Sequence, residues 1–146
     1  PVFANGDVAE PEDAVRILAH TGADGCDWLL ERTEDEEMRR ELAVERRQYA
    51  QFADRAERAL TESGVRPKEK SPLARAGMWM GIQMNTMTDA TSTHVADILI
   101  QGATMGVVSM TRDRRELDEA DAQAQGLASD LITAQQSAIE RLKAFL

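Results

Sequence analysis

The sequence has little cysteine and few aromatic residues, and both scarcities narrow the class of structure. Cys26 is the only cysteine among 146 residues, so the chain forms no internal disulfide and offers no cysteine cage for a metal. Aromatic residues make up 4% of the chain, whereas it has 7 methionines. Because Leu, Ala and Met are strong helix formers, such a composition is typical of closely packed helices.

Positive charge and long apolar runs are also scarce. The chain has 17 Lys and Arg against 26 Asp and Glu, a formal net charge of −9. This argues against nucleic-acid and membrane-surface partners, which are bound through clustered basic residues. The apolar runs around 73–84 and 95–110 are too short, or too interrupted by Gln83 and Asp97, to span a bilayer. We therefore expect a soluble, cytoplasmic protein, although the sequence leaves open whether a leader preceded Pro1.

The standard catalytic motifs are missing from the sequence. It contains no phosphate-binding loop, dinucleotide fingerprint, HExxH or GxSxG motif. A cysteine–histidine nucleophile would need Cys26 beside His20 or His94, and nothing in their spacing supports such a pair. The sequence leaves open whether the protein is an enzyme, and the lack of these motifs favours a non-catalytic role.

Apolar residues recur every three or four positions, and no segment shows the alternation of a strand, so the pattern predicts an all-α fold. Short connectors between long helices imply antiparallel neighbours. We predict an irregular arm over residues 1–10 and a single domain over 11–146. The expected architecture is an antiparallel four-helix bundle, ferritin-like in its arrangement, with an extra short helix or a broken third helix.

Capping signals set the expected ends of the first two helices. The first is predicted over about 11–32. Thr33 and Glu36 match a capping box for a second helix over about 34–63, which Gly64 ends.

From residue 73 onward, apolar residues follow one repeat with a constant phase. Thr, Ser and Asp interrupt this repeat, so we expect a break near 89–92, a helix over about 91–110 and a final helix over about 114–145. Within the helix predicted over about 91–110, the repeat predicts that five residues face inward: His94, Ile98, Gln101, Met105 and Val108. The preceding helix, over 73–84, is apolar nearly all round, which predicts a homodimer or higher homo-oligomer that completes its burial.

Three polar residues fall where the repeat predicts the core. Glu45 lies between Leu42 and Tyr49, and a place at the edge of the stripe, in reach of water, is the commoner outcome for a glutamate. The alternative is a buried ligand or acid. His94 and Gln101 are two turns apart on one helix face.

Asp97 lies three residues after His94 and is predicted on the same flank. A histidine on an apolar face is more often satisfied by a neighbouring group than by a metal. The functional hypothesis is that His94, Gln101 and Glu45 converge on a small ligand, or that Glu45, His94 and Asp97 bind a metal. Mid-helix glycines, Gly102 and Gly106 among them, indicate close packing or room for a ligand.

With these features, the chain resembles the ferritin-like superfamily and, more narrowly, a bacterial rubrerythrin-like branch of it. The fragments that carry the resemblance are Ala23-Asp24-Gly25, Arg47-x-Tyr49-x-x-Phe52 and Gln101-Gly102. The resemblance implies a four-helix bundle.

The metal ligands of ferritin-like enzymes are only partly matched. Those enzymes carry two Glu-x-x-His pairs and two further glutamates. Here Ile17 stands three residues before His20 and Thr91 three before His94, so neither histidine completes a Glu-x-x-His pair. Among the positions predicted to face inward, only Glu45 carries a carboxylate.

The leading functional expectation is a non-catalytic interaction or oligomeric module without a cofactor. One alternative is an iron-storage or redox protein that binds iron or another divalent metal through Glu45 and His94. Another is a small-ligand sensor with a pocket near the helix break and Gly102.

Overall fold

The computed structural model describes residues 11–64, 89–117 and 121–146, and every regular element in these ranges is helical. The all-α prediction is therefore confirmed. The N-terminal arm and the helix predicted over 73–84 lie outside the described residues. The helices are α1 (Pro11–Leu30), α2 (Glu36–Glu62), α3 (Ser92–Arg115) and α4 (Ala122–Leu142), and a 3-10 turn (Lys143–Phe145) follows α4.

Helix α2 begins two residues later than the capping box predicts. Its N-cap is Asp35, whose carboxylate accepts a hydrogen bond from the backbone nitrogen of Met38 at 3.0 Å. The predicted box at Thr33 and Glu36 is wrong, because the Thr33 hydroxyl instead donates to the carbonyl oxygen of Leu29 at 2.7 Å. Thr33 thus adds a second donor to the Leu29 carbonyl oxygen at the end of α1, which also accepts from the backbone nitrogen of Arg32, and the aspartate caps α2.

Other helix ends follow the expected signals more closely. Gly64 has a φ of 74°, a left-handed conformation that glycine adopts without strain, and it ends α2 as predicted. The predicted break before residue 92 is also confirmed, because the Thr91 hydroxyl accepts a hydrogen bond from the backbone nitrogen of His94 at 3.3 Å. Helix α3 then runs to Arg115, and α4 starts only at Ala122, eight residues after the predicted position.

Helices α1 and α2 form an antiparallel hairpin. His20 Nε2 lies 2.8 Å from Glu57 Oε1 in the half distant from the connecting turn, and Asp27 pairs with Arg46 nearer the turn. Because the residue numbers rise along α1 as they fall along α2, the two helices run in opposite directions.

Helices α3 and α4 form a second antiparallel hairpin. Arg114 Nη1 donates to Ser129 Oγ at 3.2 Å near the connection, and Thr93 Oγ1 donates to the carbonyl oxygen of Phe145 at 2.9 Å at the far end.

The two hairpins meet partly through α2 and α4, which are also antiparallel. Arg141 pairs with Glu41 at 2.8 Å, and Arg55 pairs with Asp130 at 2.9 Å. It follows that α1 and α4 run in one direction and α2 and α3 in the other. Residues 65–88 therefore join two helices that run the same way.

Two apolar clusters fill the two halves of the molecule. Each cluster takes residues from all four helices. The first contains Cys26, Leu29, Met38, Leu42, Val95, Ala96 and Leu142. The second contains Val15, Ala56, Met110, Leu127, Ala128, Leu131 and Ile132.

The predicted inward face of α3 is wrong at three of its five positions. Gln101 is exposed, as are 72% of Met105 and 52% of Val108. The buried face consists mainly of small residues, namely Val95, Ala96, Ala103, Gly106 and Met110. The prediction carried the apolar repeat across the helix break, but the cap at Thr91 starts a new helix with its own rotation.

Among the described helices, none has both the length and the apolar character needed to cross a bilayer.

Candidate ligand-binding site

One residue from each helix meets at the middle of the molecule. These residues are Gly22 of α1, Tyr49 of α2, Gly106 of α3 and Gln135 of α4. A Cβ atom on Gly22 would lie 2.7 Å from three ring atoms of Tyr49, and a Cβ atom on Gly106 would collide with the Gln135 side-chain amide. Each glycine therefore makes room for a large side chain from the neighbouring helix.

Gln135 is the polar centre of this layer. It is 3% exposed, and its Oε1 atom has no hydrogen-bond partner within the described ranges. Burial raises the pKa of Tyr49 to about 12, and a hydrogen bond with the Gln135 side chain acts in the opposite direction. Because Oε1 is unpartnered, the amide nitrogen of Gln135 makes this contact. A buried acceptor without a partner costs about 1–3 kcal/mol.

Beside this layer, a cavity of about 220 Å³ lies between the two hairpins. Among the described residues, its wall is almost wholly apolar and includes no Asp, Glu, Lys or Arg. The residues that line it are Leu18, Thr21, Gly22, Gly25, Cys26, Leu29, Tyr49, Ile98, Leu99, Gly102, Ala103 and Gln135. Gly102 is exposed, and a Cβ atom built on it would meet nothing within 4 Å, so the cavity reaches the surface beside α3.

Cys26 lies in the cavity wall as a neutral thiol. Its side chain is buried, and burial, followed by the nearby charge of Glu45, raises its pKa well above the usual value. A thiol nucleophile requires a lowered pKa. Cys26 therefore contributes packing and not reactivity.

Glu45 is buried on α2, so the expectation that it reaches water at the edge of the stripe is wrong. It is 2% exposed, and its Oε2 atom has no hydrogen-bond partner in the described part of the chain. Burial raises its pKa to about 8, Glu41 adds to the rise through its charge and a hydrogen bond, and Arg141 opposes it. Glu45 is thus mostly protonated at neutral pH, and the neighbouring negative charge of Glu41 is paired with Arg141 at 2.8 Å.

The predicted convergence of His94, Gln101 and Glu45 is wrong for Gln101. Its Nε2 atom donates to Asp97 Oδ2 at 3.0 Å, and both residues are exposed on α3. His94 is half-buried and makes an interaction of its own. The physical reason is the rotation of α3, which turns the predicted inward positions outward.

The described residues contain no group of three or more His, Cys, Asp and Glu that could hold a metal ion. Glu45, His94 and Asp97 are therefore not brought together as a ligand set. Binding of iron or another divalent metal stays a prediction, which elemental analysis of protein purified without chelators would test.

Sequence reasoning missed Gln135 and Tyr49 as site residues. The available signals were a glutamine between Ile132 and Ile139 in the apolar stripe of the last helix, and glycines within helices. Neither signal says which helices face each other, and the site depends on that pairing.

No protein-family model, curated protein or solved structure matches the chain.

Proposed function

We propose that this protein is a non-catalytic, ferritin-like helical bundle that binds a small ligand between its two hairpins. The observation that carries the proposal is the apolar cavity of about 220 Å³ between the two hairpins, whose wall includes the polar side chains of Thr21, Tyr49 and Gln135. Ligand pockets are typically apolar concavities with a few polar groups that fix orientation, and this cavity has that character.

The order of the helices supports an antiparallel four-helix bundle of the ferritin-like type. In that type, a single long crossover joins two helices that run in the same direction. Helices α2 and α3 run in the same direction here, and residues 65–88 provide a connection of the required length.

The chemistry of the cavity wall supports a binding role over a catalytic one. A nucleophile or general base needs a pKa near the working pH. Burial shifts the pKa of both Cys26 and Tyr49 upward, away from neutrality, so both side chains stay protonated.

Toluene is a suitable probe for the cavity, because its size and apolar character match the wall. We expect saturable binding by calorimetry and a rise in melting temperature, since a ligand that binds only the folded state stabilises it. Ala103→Leu, at a buried position in the wall, should narrow the cavity and weaken toluene binding.

The matched control is Ala124→Leu, which enlarges an equally buried alanine outside the wall. It should destabilise the protein by overpacking yet leave the toluene affinity of the folded protein unchanged. The ligand-binding proposal would be overturned if toluene failed to bind the wild-type protein, or if both variants bound it equally well.

A second candidate function, an oligomeric module, is favoured by the exposed apolar side chains of Met105 and Val108 on α3. We propose a second copy of this chain as their partner. Light scattering should then show a dimer, and the double variant Met105→Glu/Val108→Glu should be monomeric. Val44→Glu, at an isolated exposed valine on α2, is the control and should stay dimeric. A monomeric wild-type protein at high concentration would contradict this candidate.

A further inference from the structure

We propose that the exposed face of α3 binds the same face of a second copy of this chain, with the two α3 helices antiparallel and Asp97 of each copy paired with Arg112 of the other. This inference rests on the second candidate function, the oligomeric module. It adds the orientation of the two copies and the ion pairs that fix it.

The middle of this face is apolar and open. Met105 and Val108 are 72% and 52% exposed, and both lie on one side of α3 because they are three residues apart. Gly102 is exposed beside them, and a Cβ atom built on it would meet nothing within 4 Å. The middle of α3 therefore leaves space for a second helix to approach closely.

The two ends of the face carry opposite charges. Asp97 is exposed near the start of α3, and Arg112 and Arg115 are exposed near its end. Neither arginine has an ion-pair partner among the residues that the structure describes. Asp97 accepts a hydrogen bond from Gln101 Nε2 at 3.0 Å, and a carboxylate has capacity for more. Both charges are therefore available to a partner.

The residues of this face are spaced symmetrically about its middle. Steps of four, four, three and four residues join them, so they share one side of the helix: Asp97, Gln101, Met105, Val108 and Arg112. The midpoint between Asp97 and Arg112 coincides with the midpoint between Gln101 and Val108, and it falls beside Met105. In a contact between identical faces about a two-fold axis, residue i meets j and j meets i. An antiparallel pair of α3 helices thus brings the two Met105 side chains together at the axis.

Charge selects this orientation over a parallel one. A parallel pair would place Asp97 against Asp97 and Arg112 against Arg112, whereas the antiparallel pair forms two ion pairs. The opposite partial charges at the two ends of a helix favour the same orientation. Because each copy has a formal net charge of −9, the ion pairs also offset part of the repulsion between the copies.

Asp97→Lys and Arg112→Glu test these pairs, first separately and then mixed. Each variant alone places like charges opposite one another in both halves of the interface. Sedimentation over a range of concentrations should show that the dissociation constant of the dimer rises by about 2- to 30-fold from the two lost ion pairs, with repulsion adding to the rise. An equimolar mixture of the two variants should restore the dimer, because the two substituted side chains then face each other, as do the unchanged Asp97 and Arg112.

Arg47→Glu is the matched control, at an exposed arginine of α2. It changes the net charge as much as Arg112→Glu does, and it should leave the dissociation constant nearly unchanged. A wild-type dimer that charge reversal does not weaken, or a mixture of the two variants that is not restored, would overturn the inference and leave the oligomeric module standing. A monomeric wild-type protein at high concentration would overturn both and leave this face to a different protein.

Cysteine cross-linking covers the case in which a charge variant fails to fold. Met105→Cys, at the axis, should form a disulfide-linked dimer on mild oxidation. Arg115→Cys, exposed at the far end of the same helix, should not, and both variants keep the buried Cys26. Efficient linkage through Arg115→Cys would indicate parallel helices and overturn the proposed orientation.

Discussion

Among the helices that α1 meets, α2 and α3 form interfaces that are built in opposite ways. Toward α2, Gly22 lies directly against the ring of Tyr49, and His20 and Asp27 each pair with a charged residue of α2. Toward α3, the same helix borders a cavity of about 220 Å³. One helix can thus use its small residues for close contact on one side and for open space on the other.

The largest difference between the two sides is expected for leucine truncation. Leu42 is fully buried among residues of all four helices, so Leu42→Ala should lower the free energy of unfolding by about 2–5 kcal/mol. Leu18 borders the cavity and is half-buried, so Leu18→Ala should cost only about 1 kcal/mol because less apolar area is lost. Urea denaturation would measure both, and equal costs would contradict the distinction between a filled and an open side.

Helix α2, which contacts α1 closely, also carries a group that should make stability depend on pH, the buried Glu45. Its pKa in the folded protein is about 8, above the value of 4.5 expected in the unfolded chain, so the folded state holds this proton more tightly. Stability is then greatest at low pH, falls as the pH rises between these two values and levels off above the higher one. At about 1.4 kcal/mol per pH unit, the loss across this window is at most about 5 kcal/mol.

Glu45→Gln should flatten this dependence, because glutamine does not titrate. Glu62→Gln, at an exposed carboxylate on the same helix, should keep it. Urea denaturation at a series of pH values would show the difference, and an unchanged slope in Glu45→Gln would argue against a proton held by this carboxyl group.

A smaller change in stability is expected when glycines are replaced by alanine. Gly22→Ala places a methyl group against the ring of Tyr49, and we expect a loss of about 1–3 kcal/mol from overpacking. Gly126→Ala meets nothing within 4 Å on the exposed side of α4, so it should stabilise the protein by up to about 1 kcal/mol through helix propensity. Thermal unfolding would compare the two, and a stabilising Gly22→Ala would show that α1 and α2 are less closely packed than the structure indicates.

Local signals predicted several features of the fold correctly. The helix start near residue 91, the Gly64 stop and the burial of Leu42 all follow from short-range rules of capping and periodicity. Such rules work because the residues involved interact within one or two helical turns.

The site was less predictable, because it depends on how the helices face one another. The repeat through Gln101 and Met105 gave the wrong face of α3, since that helix packs through small residues and exposes larger ones. Gln135 lies between apolar residues of the last helix, but its role comes from Gly106 on another helix. A one-dimensional pattern carries no information about that pairing.

The division into two hairpins has a consequence for how the molecule opens. The cavity lies at the boundary between them, with α1 and α2 on one side and α3 and α4 on the other, so a bound molecule would touch both. In its absence, we expect the hairpins to separate transiently while each retains its own backbone hydrogen bonds. Hydrogen exchange at this boundary should then be slower with a bound molecule than without one. The bound molecule would pack against both hairpins, as a core side chain does.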